Sequence, residues 1–278
     1  MTETRRIDLT MEEAIARLRP DQRPQRDDLA SANSSSRIDW DLNTPFDRAA
    51  ELAEFGWRER VGDVEAYLSE IKDVLRESWA TELDVTGEAV DIGAFLEGVP
   101  ECMLSFSVPQ TQAVRIVASI SARCSADAPR LLNRGIAIAA VVYALQCSGT
   151  PVSLAVGDWV SGHGQTFRNT VEVNPYGDYI DAGRLAFWLG HPAALRRCMF
   201  RYQEQEPDHV RQTFGFHSGG GYGTPTDPSS ESEGMEGVVY IPFPETSRLS
   251  DYETPERAFR TIRDLLATKG ITLQLRSS

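Results

Sequence analysis

The chain has 278 residues and a mass of 30.8 kDa, with 41% hydrophobic and 25% charged residues, which suits one large globular domain or one domain with an N-terminal addition and excludes disorder throughout. A formal net charge of −13 and a pI near 4.8 argue against a wide phosphate-binding surface, which draws on clustered Lys and Arg, so no nucleic-acid partner is expected. The N-terminus lacks an apolar signal core and no stretch reads as a bilayer span, so a soluble cytoplasmic protein with no membrane partner is expected.

Residues 1–18 predict a short helix, because Thr10 followed by Glu13 is a capping-box pattern opening "MEEAIARL". Residues 19–37 are polar and rich in Pro and Ser, a composition that reads as a flexible tether. Residues 38–110 read as helical and irregular. Order is expected to resume near 47–57, and an amphipathic helix is predicted over 61–79, where Val61, Val64, Leu68, Ile71, Val74, Leu75 and Trp79 recur every three or four positions. The stretch 83–109 breaks into short β-prone pieces at Gly and Pro, which predicts irregular structure ending in a strand or edge hairpin.

Residues 111–278 carry the core pattern. Val114 to Ile120 is a nearly continuous β-branched apolar run, as in a strand covered on both faces. A helix follows over 127–146, with Pro129 near its first turn, stopped by Gly149, and then a second strand in "PVSLAVGDW". Strand, helix and strand make a βαβ unit with parallel strands and a right-handed crossover. Further elements are a strand at 167–174, helices over 181–204 broken near Gly190 to Pro192, a strand at 238–242, a helix at 254–269 and a closing strand at 271–275. This alternation predicts an α/β three-layer sandwich with a mostly parallel central sheet, preceded by an N-terminal helical segment.

Cys102, Cys124, Cys147 and Cys198 are scattered without metal-ligand spacing and read as reduced thiols. No Gly-x-Gly-x-x-Gly or Gly-Lys-Ser joins the first core strand to its helix, which argues against a nucleotide site. The Gly-rich stretch around His217, residues 217–234, reads as a flexible surface loop. His191, beside Pro192 at a helix start, reads as structural or capping.

The junction after Val114 to Ile120 is where ligands sit in open α/β sheets, outside the carboxyl ends of strands. Ser119, Ser121, Arg123 and Ser125 lie there, and Asp158 follows the second strand as a carboxylate from a neighbouring loop or as a turn residue. Arg123 either meets an anionic ligand or pairs with an acid such as Asp127.

The order of elements from about 112 to 275 resembles the von Willebrand factor A-type domain. In that family the first strand ends in Asp-x-Ser-x-Ser and holds a divalent cation; here the matching residues are Ser119-x-Ser121-x-Arg123, with a cation in place of the last serine. Hard divalent ions need anionic oxygens, so no cofactor is expected, and any divalent cation would be bound weakly with Ser121 and Asp158 as candidate ligands. The resemblance implies a non-enzymatic protein-protein interaction module whose partner is another protein, in some members an AAA-type ATPase. "FGW", "GVPECM" and "RLAFWLGHPAALRR" also make the chain similar to an actinobacterial bacteriophage protein group, which implies a phage accessory or structural protein in the host cytoplasm. The remaining alternative is a hydrolase-type enzyme using Asp158 or His217 at the carboxyl edge of the sheet.

Overall fold

The computed structural model describes residues 4–24, 29–32, 41–62, 64–65, 80–84, 89–90, 92–100, 103–107, 113–123, 126–147, 149–176, 181–217, 219–227 and 238–271. In chain order the strands are β1 (Thr4–Leu9), β2 (Ala80–Asp84), β3 (Ala89–Val90), β4 (Met103–Ser107), β5 (Val114–Ser119), β6 (Val152–Gly162), β7 (Gln165–Asn174), β8 (Thr224–Pro225) and β9 (Val238–Ile241). The helices are α1 (Met11–Ala16), α2 (Phe46–Phe55), α3 (Ile92–Leu96), α4 (Ala128–Cys147), α5 (Ala182–Leu185), α6 (Phe200–Glu204), α7 (Asp208–Phe214) and α8 (Pro255–Thr268).

The main sheet has the order β1-β7-β6-β5-β9, with β8 added to β6. β6, β5 and β9 are mutually parallel, β7 returns antiparallel to β6, and β1 lies parallel to β7. The predicted α/β class with a mostly parallel sheet, surrounding helices and an N-terminal helix is what the fold adopts. The β5-α4-β6 unit follows from the apolar runs read above: every β5 residue except Arg115 is buried, as expected for an inner strand.

α4 is long and apolar enough by length and composition to cross a membrane, but 67% of its apolar window is buried inside the fold, so it serves as a core helix. It packs against α8 and against a π-helical turn at Ala186–Gly190 that continues α5. There Gly135 faces Gly190 so closely that a Cβ on Gly135 would lie 2.8 Å from the Gly190 Cα. A second π-helical segment, Ala194–Met199, leads into α6. On the opposite face of the sheet Val117, Trp159 and Tyr240 form a separate buried cluster.

Several expectations for the N-terminal part change. The first 18 residues hold a strand before the helix: Ile7 and Leu9 are buried and β1 extends the sheet along β7, while the Thr10–Glu13 capping box opens α1 as predicted. The stretch 19–37, read as a tether, is tied to the body wherever it is described. The Arg201 guanidinium donates to the Gln22 carbonyl at 2.7 Å, Arg197 donates to the Ala30 carbonyl at 2.6 Å, and the Ser31 amide donates to Glu204 at 3.1 Å. Composition missed this because the partners are charged groups nearly 180 positions away.

The 83–109 stretch, expected as irregular structure ending in a strand or edge hairpin, does end in the strand β4, but β4 is the middle of a small antiparallel sheet, β2-β4-β3, and α3 falls between β3 and β4 in the chain. The helix expected at 61–79 is helical at 61–62 and 64–65; its remainder lies outside the described residues, as does most of the closing strand at 271–275.

Candidate functional site

β5 sits at the point where the sheet reverses its direction of growth: α4 carries the chain to β6 on one side, and the later segments bring β9 to the other. Such switch points open a crevice at the carboxyl ends of the strands. The last ladder bond of β5 runs from the Ile120 amide to the Gly157 carbonyl at 2.7 Å, after which β6 continues to Gly162 without β5, still paired with β7 along its other edge.

Ser121 manages this ending. Its hydroxyl oxygen accepts from the Trp159 amide at 3.0 Å, taking the place of a strand partner, and its proton goes to Asp158 Oδ1 at 2.5 Å. One turn of the pleat later β8 takes up pairing with β6 at Val160 and Ser161, and the Thr226 amide donates to the Trp159 carbonyl at 3.1 Å.

Asp158 is inside β6 and buried, not on a loop or turn, which corrects the sequence expectation. Its direction follows from the strand period, which turns the Asp158 side chain away from the Val117–Trp159–Tyr240 cluster. Its second oxygen accepts from Gln203 Nε2 at 2.5 Å. Burial pushes the carboxyl up to about 6, and the hydrogen bonds from Ser121 and Gln203 only partly offset that rise. The two residues proposed from sequence as cation ligands are therefore brought together, yet each is already engaged by the other. Among the described residues no group of three or more His, Cys, Asp or Glu is placed to hold a metal ion.

Ser119 is buried beside the Tyr240 phenol, whose hydroxyl donates to Asp227 Oδ1 at 3.0 Å. Arg123 is exposed at the edge. Asp127, the acid suggested as its partner, instead forms an ion pair with Arg130 one helical turn away and accepts from the Arg130 amide at 3.0 Å, because α4 opens there. Ser125 lies outside the described residues.

Beneath the edge is a small recess lined by Ile120, Arg134, Trp188, His191, Leu195 and Arg196 among others, with room for about one water molecule. Arg134 and Arg196 are both about 1% exposed. Arg134 donates to the Pro242 carbonyl at 2.8 Å, and Arg196 donates to the Arg123 carbonyl at 3.4 Å. Burial lowers the Arg134 pKa. His191 has the capping role read from sequence: its Nδ1 accepts from the Ala193 amide at 3.0 Å, and burial holds its pKa down to about 3, so the ring is neutral.

Sequence reasoning missed Gln203, Arg134 and Arg196. A signal existed for Arg134, a single cation inside the run "LLNRGIAIAAVV" whose apolar residues leave no solvent face. No local pattern marks Gln203, which reaches Asp158 from a helix 45 positions on.

The Gly-rich stretch is anchored where it is described. Tyr222 is buried, its hydroxyl donates to Glu204 at 2.6 Å and accepts from the Ala30 amide at 3.0 Å, and β8 joins the sheet. His217 is exposed, and both Asp158 oxygens are taken by Ser121 and Gln203, so the described contacts do not assemble His217 and Asp158 into a hydrolytic pair. The stretches "FGW" and "RLAFWLGHPAALRR" pack on each other: the Trp57 and His191 rings meet edge-on at 4.4 Å, and the Trp57 amide donates at 2.8 Å to the carbonyl of Gly183, the residue just before the second stretch.

None of the curated proteins and none of the solved structures matches the chain. The family described as "Domain of unknown function (DUF7192)" does match it, over residues 10–272. That span reaches from the capping box of α1 past the end of α8 and takes in every element of the site, so the chain belongs to this family.

Proposed function

We propose that the protein is a non-enzymatic interaction module that binds another protein through the carboxyl end of β5. The observation that carries this reading is the place of β5 at the reversal of strand order, where the sheet opens a crevice and Arg123 stands exposed. The hydroxyl and carboxylate that could have done chemistry there are spent on ending the strand, which favours recognition over catalysis. The parallel β5-α4-β6 unit and the hairpin return of β7 are compatible with the A-type resemblance, which suggests an AAA-type ATPase as one partner and a degenerate cation site. A cytoplasmic setting, in a host cell if the gene is a phage's, suits a buried free thiol at Cys198 and an acidic surface.

The test is site-specific photocross-linking in the producing cell, with benzoylphenylalanine in place of Arg123 or of Lys269. Lys269 is the exposed C-cap of α8, a helix that packs on α4 and does not line the recess. A discrete adduct from position 123 and none from 269 is the expected result. Equal adducts, or none from position 123, would remove this edge as the partner surface.

A further inference from the structure

We infer that the recess under the carboxyl end of β5 binds the tip of an oxyanion, a carboxylate or a phosphoryl group, held by the guanidinium of Arg134 together with that of Arg196. The inference rests on the reading of this edge as the partner surface and gives that surface its chemistry.

Three observations converge on it. Arg134 is buried in the fold, forms no ion pair among the described residues, and its Nε–H has no hydrogen-bond partner, although Pro242 takes one of its other donors. Besides burial, Arg134 feels the Tyr252 phenol, which is hydrogen-bonded to it, the Tyr240 phenol and, most weakly, one carboxylate, Asp227, which already accepts from Tyr240. A buried guanidinium without a close carboxylate is costly, and an anion supplied from outside offsets that cost. Second, Arg196 lines the same recess from the π-helical segment, so two forked donors approach one space from different elements. Third, the recess lies at the switch point and adjoins exposed Arg123 through its carbonyl, so the local charge is positive on a chain of net charge −13.

The recess also limits its ligand. Free space for about one water admits one or two oxygens and no more, so the rest of the ligand stays outside, as it does for an acidic side chain or a phosphorylated residue of a partner. The neutral His191 ring and the side chains of Leu189 and Leu195 close the space and exclude a hydrated cation.

The experiment titrates the full-length protein with inorganic phosphate and, separately, with acetate, at ionic strength held constant with chloride. Melting temperature and the arginine Nε–H resonances are followed together. A saturable rise in melting temperature, with movement of the Arg134 Nε–H signal, is the expected result. A response to phosphate alone, or at lower concentration than to acetate, assigns a phosphoryl source; a response to acetate alone, or at lower concentration than to phosphate, assigns a carboxylate. Arg134→Lys and Arg196→Lys keep the charge and lose the fork, and either should weaken binding by about tenfold or more. Melting that follows ionic strength only, with the Arg134 resonance unmoved, overturns the inference, and so does undiminished saturation in a folded Arg134→Lys protein. In either case a photocross-link from position 123 would still stand, so failure of the anion site and failure of the partner surface are separable.

Discussion

Ser121 and Asp158, 37 positions apart, share a hydrogen bond of 2.5 Å in the core, with Gln203 on the other carboxylate oxygen. The folded carboxyl has a pKa of about 6 against an ordinary 3.8, so between those pH values the native state keeps a proton that the unfolded chain has lost. Stability contributed by this group therefore falls as pH rises from about 4 to about 6 and is level above that, a loss of about 3 kcal/mol for a two-unit rise. Asp158→Asn removes the buried charge, and Gln203, whose Oε1 has no partner, can turn to accept from the new amide. Urea unfolding at pH 5 and pH 7.5 should show the variant at least as stable as the parent at pH 7.5, with a flatter pH dependence. A variant that is weaker at pH 7.5 and keeps the parent slope would sink this account.

Arg197 and Asp41 form an ion pair in which both side chains are fully buried, and Arg197 also donates to the Thr44 carbonyl at 2.9 Å. One arginine thus fastens the 29–32 and 41–45 segments to the π-helical segment. Arg197→Met leaves Asp41 buried without its cation and should cost about 3–5 kcal/mol, whereas the double change Arg197→Met with Asp41→Leu should recover a large part of that. A double-mutant cycle by chemical denaturation gives the coupling; strict additivity of the two single changes would contradict it.

Gly135 poses two opposed effects. Alanine in a helix interior is favoured over glycine by up to about 1 kcal/mol, but its Cβ would press on the Gly190 backbone at 2.8 Å, and overpacking of that kind costs about 1–3 kcal/mol. Gly135→Ala should therefore destabilise. The denaturation midpoint decides the sign, and an increase would mean that the helix and the π turn separate at little cost.

Tyr222→Phe deletes one hydroxyl that serves both Glu204 and the Ala30 amide. A loss of about 1–3 kcal/mol is expected, together with faster amide exchange at Ala30 and Ser31, which hydrogen-exchange mass spectrometry measures. Exchange unchanged at those two amides would show that the 29–32 segment is held without Tyr222.

The fold was legible where burial acts on a whole element. The β5 run, the α4 stripe and the Gly149 stop each state their structure locally, and together they give the parallel unit and the place of the site. Ser121 and Asp158 could be named because the sequence sets both near expected strand ends, a positional argument that holds for Ser121 and places Asp158 wrongly, since β6 runs on past it to Gly162. What they do there was not legible, since it depends on Gln203 and on β5 ending before it can pair with Trp159, neither of which follows from spacing. The 19–37 stretch shows the complementary failure: its composition is that of a tether, and its order comes from Arg197, Arg201 and Glu204 far along the chain.

Parallel pairing of β1 with β7 joins Asp8 to Arg168 across 160 positions. During synthesis at about 5–20 residues per second, the first strand is made roughly 8–32 seconds before its neighbour exists. Ile7 and Leu9 must spend that interval exposed, or sheltered by something other than the finished sheet. The edge strand is thus made well before the strand on which it is placed. Closure of such a distant contact belongs to the slow end of folding, which gives a chaperone or the ribosome surface time to act on β1.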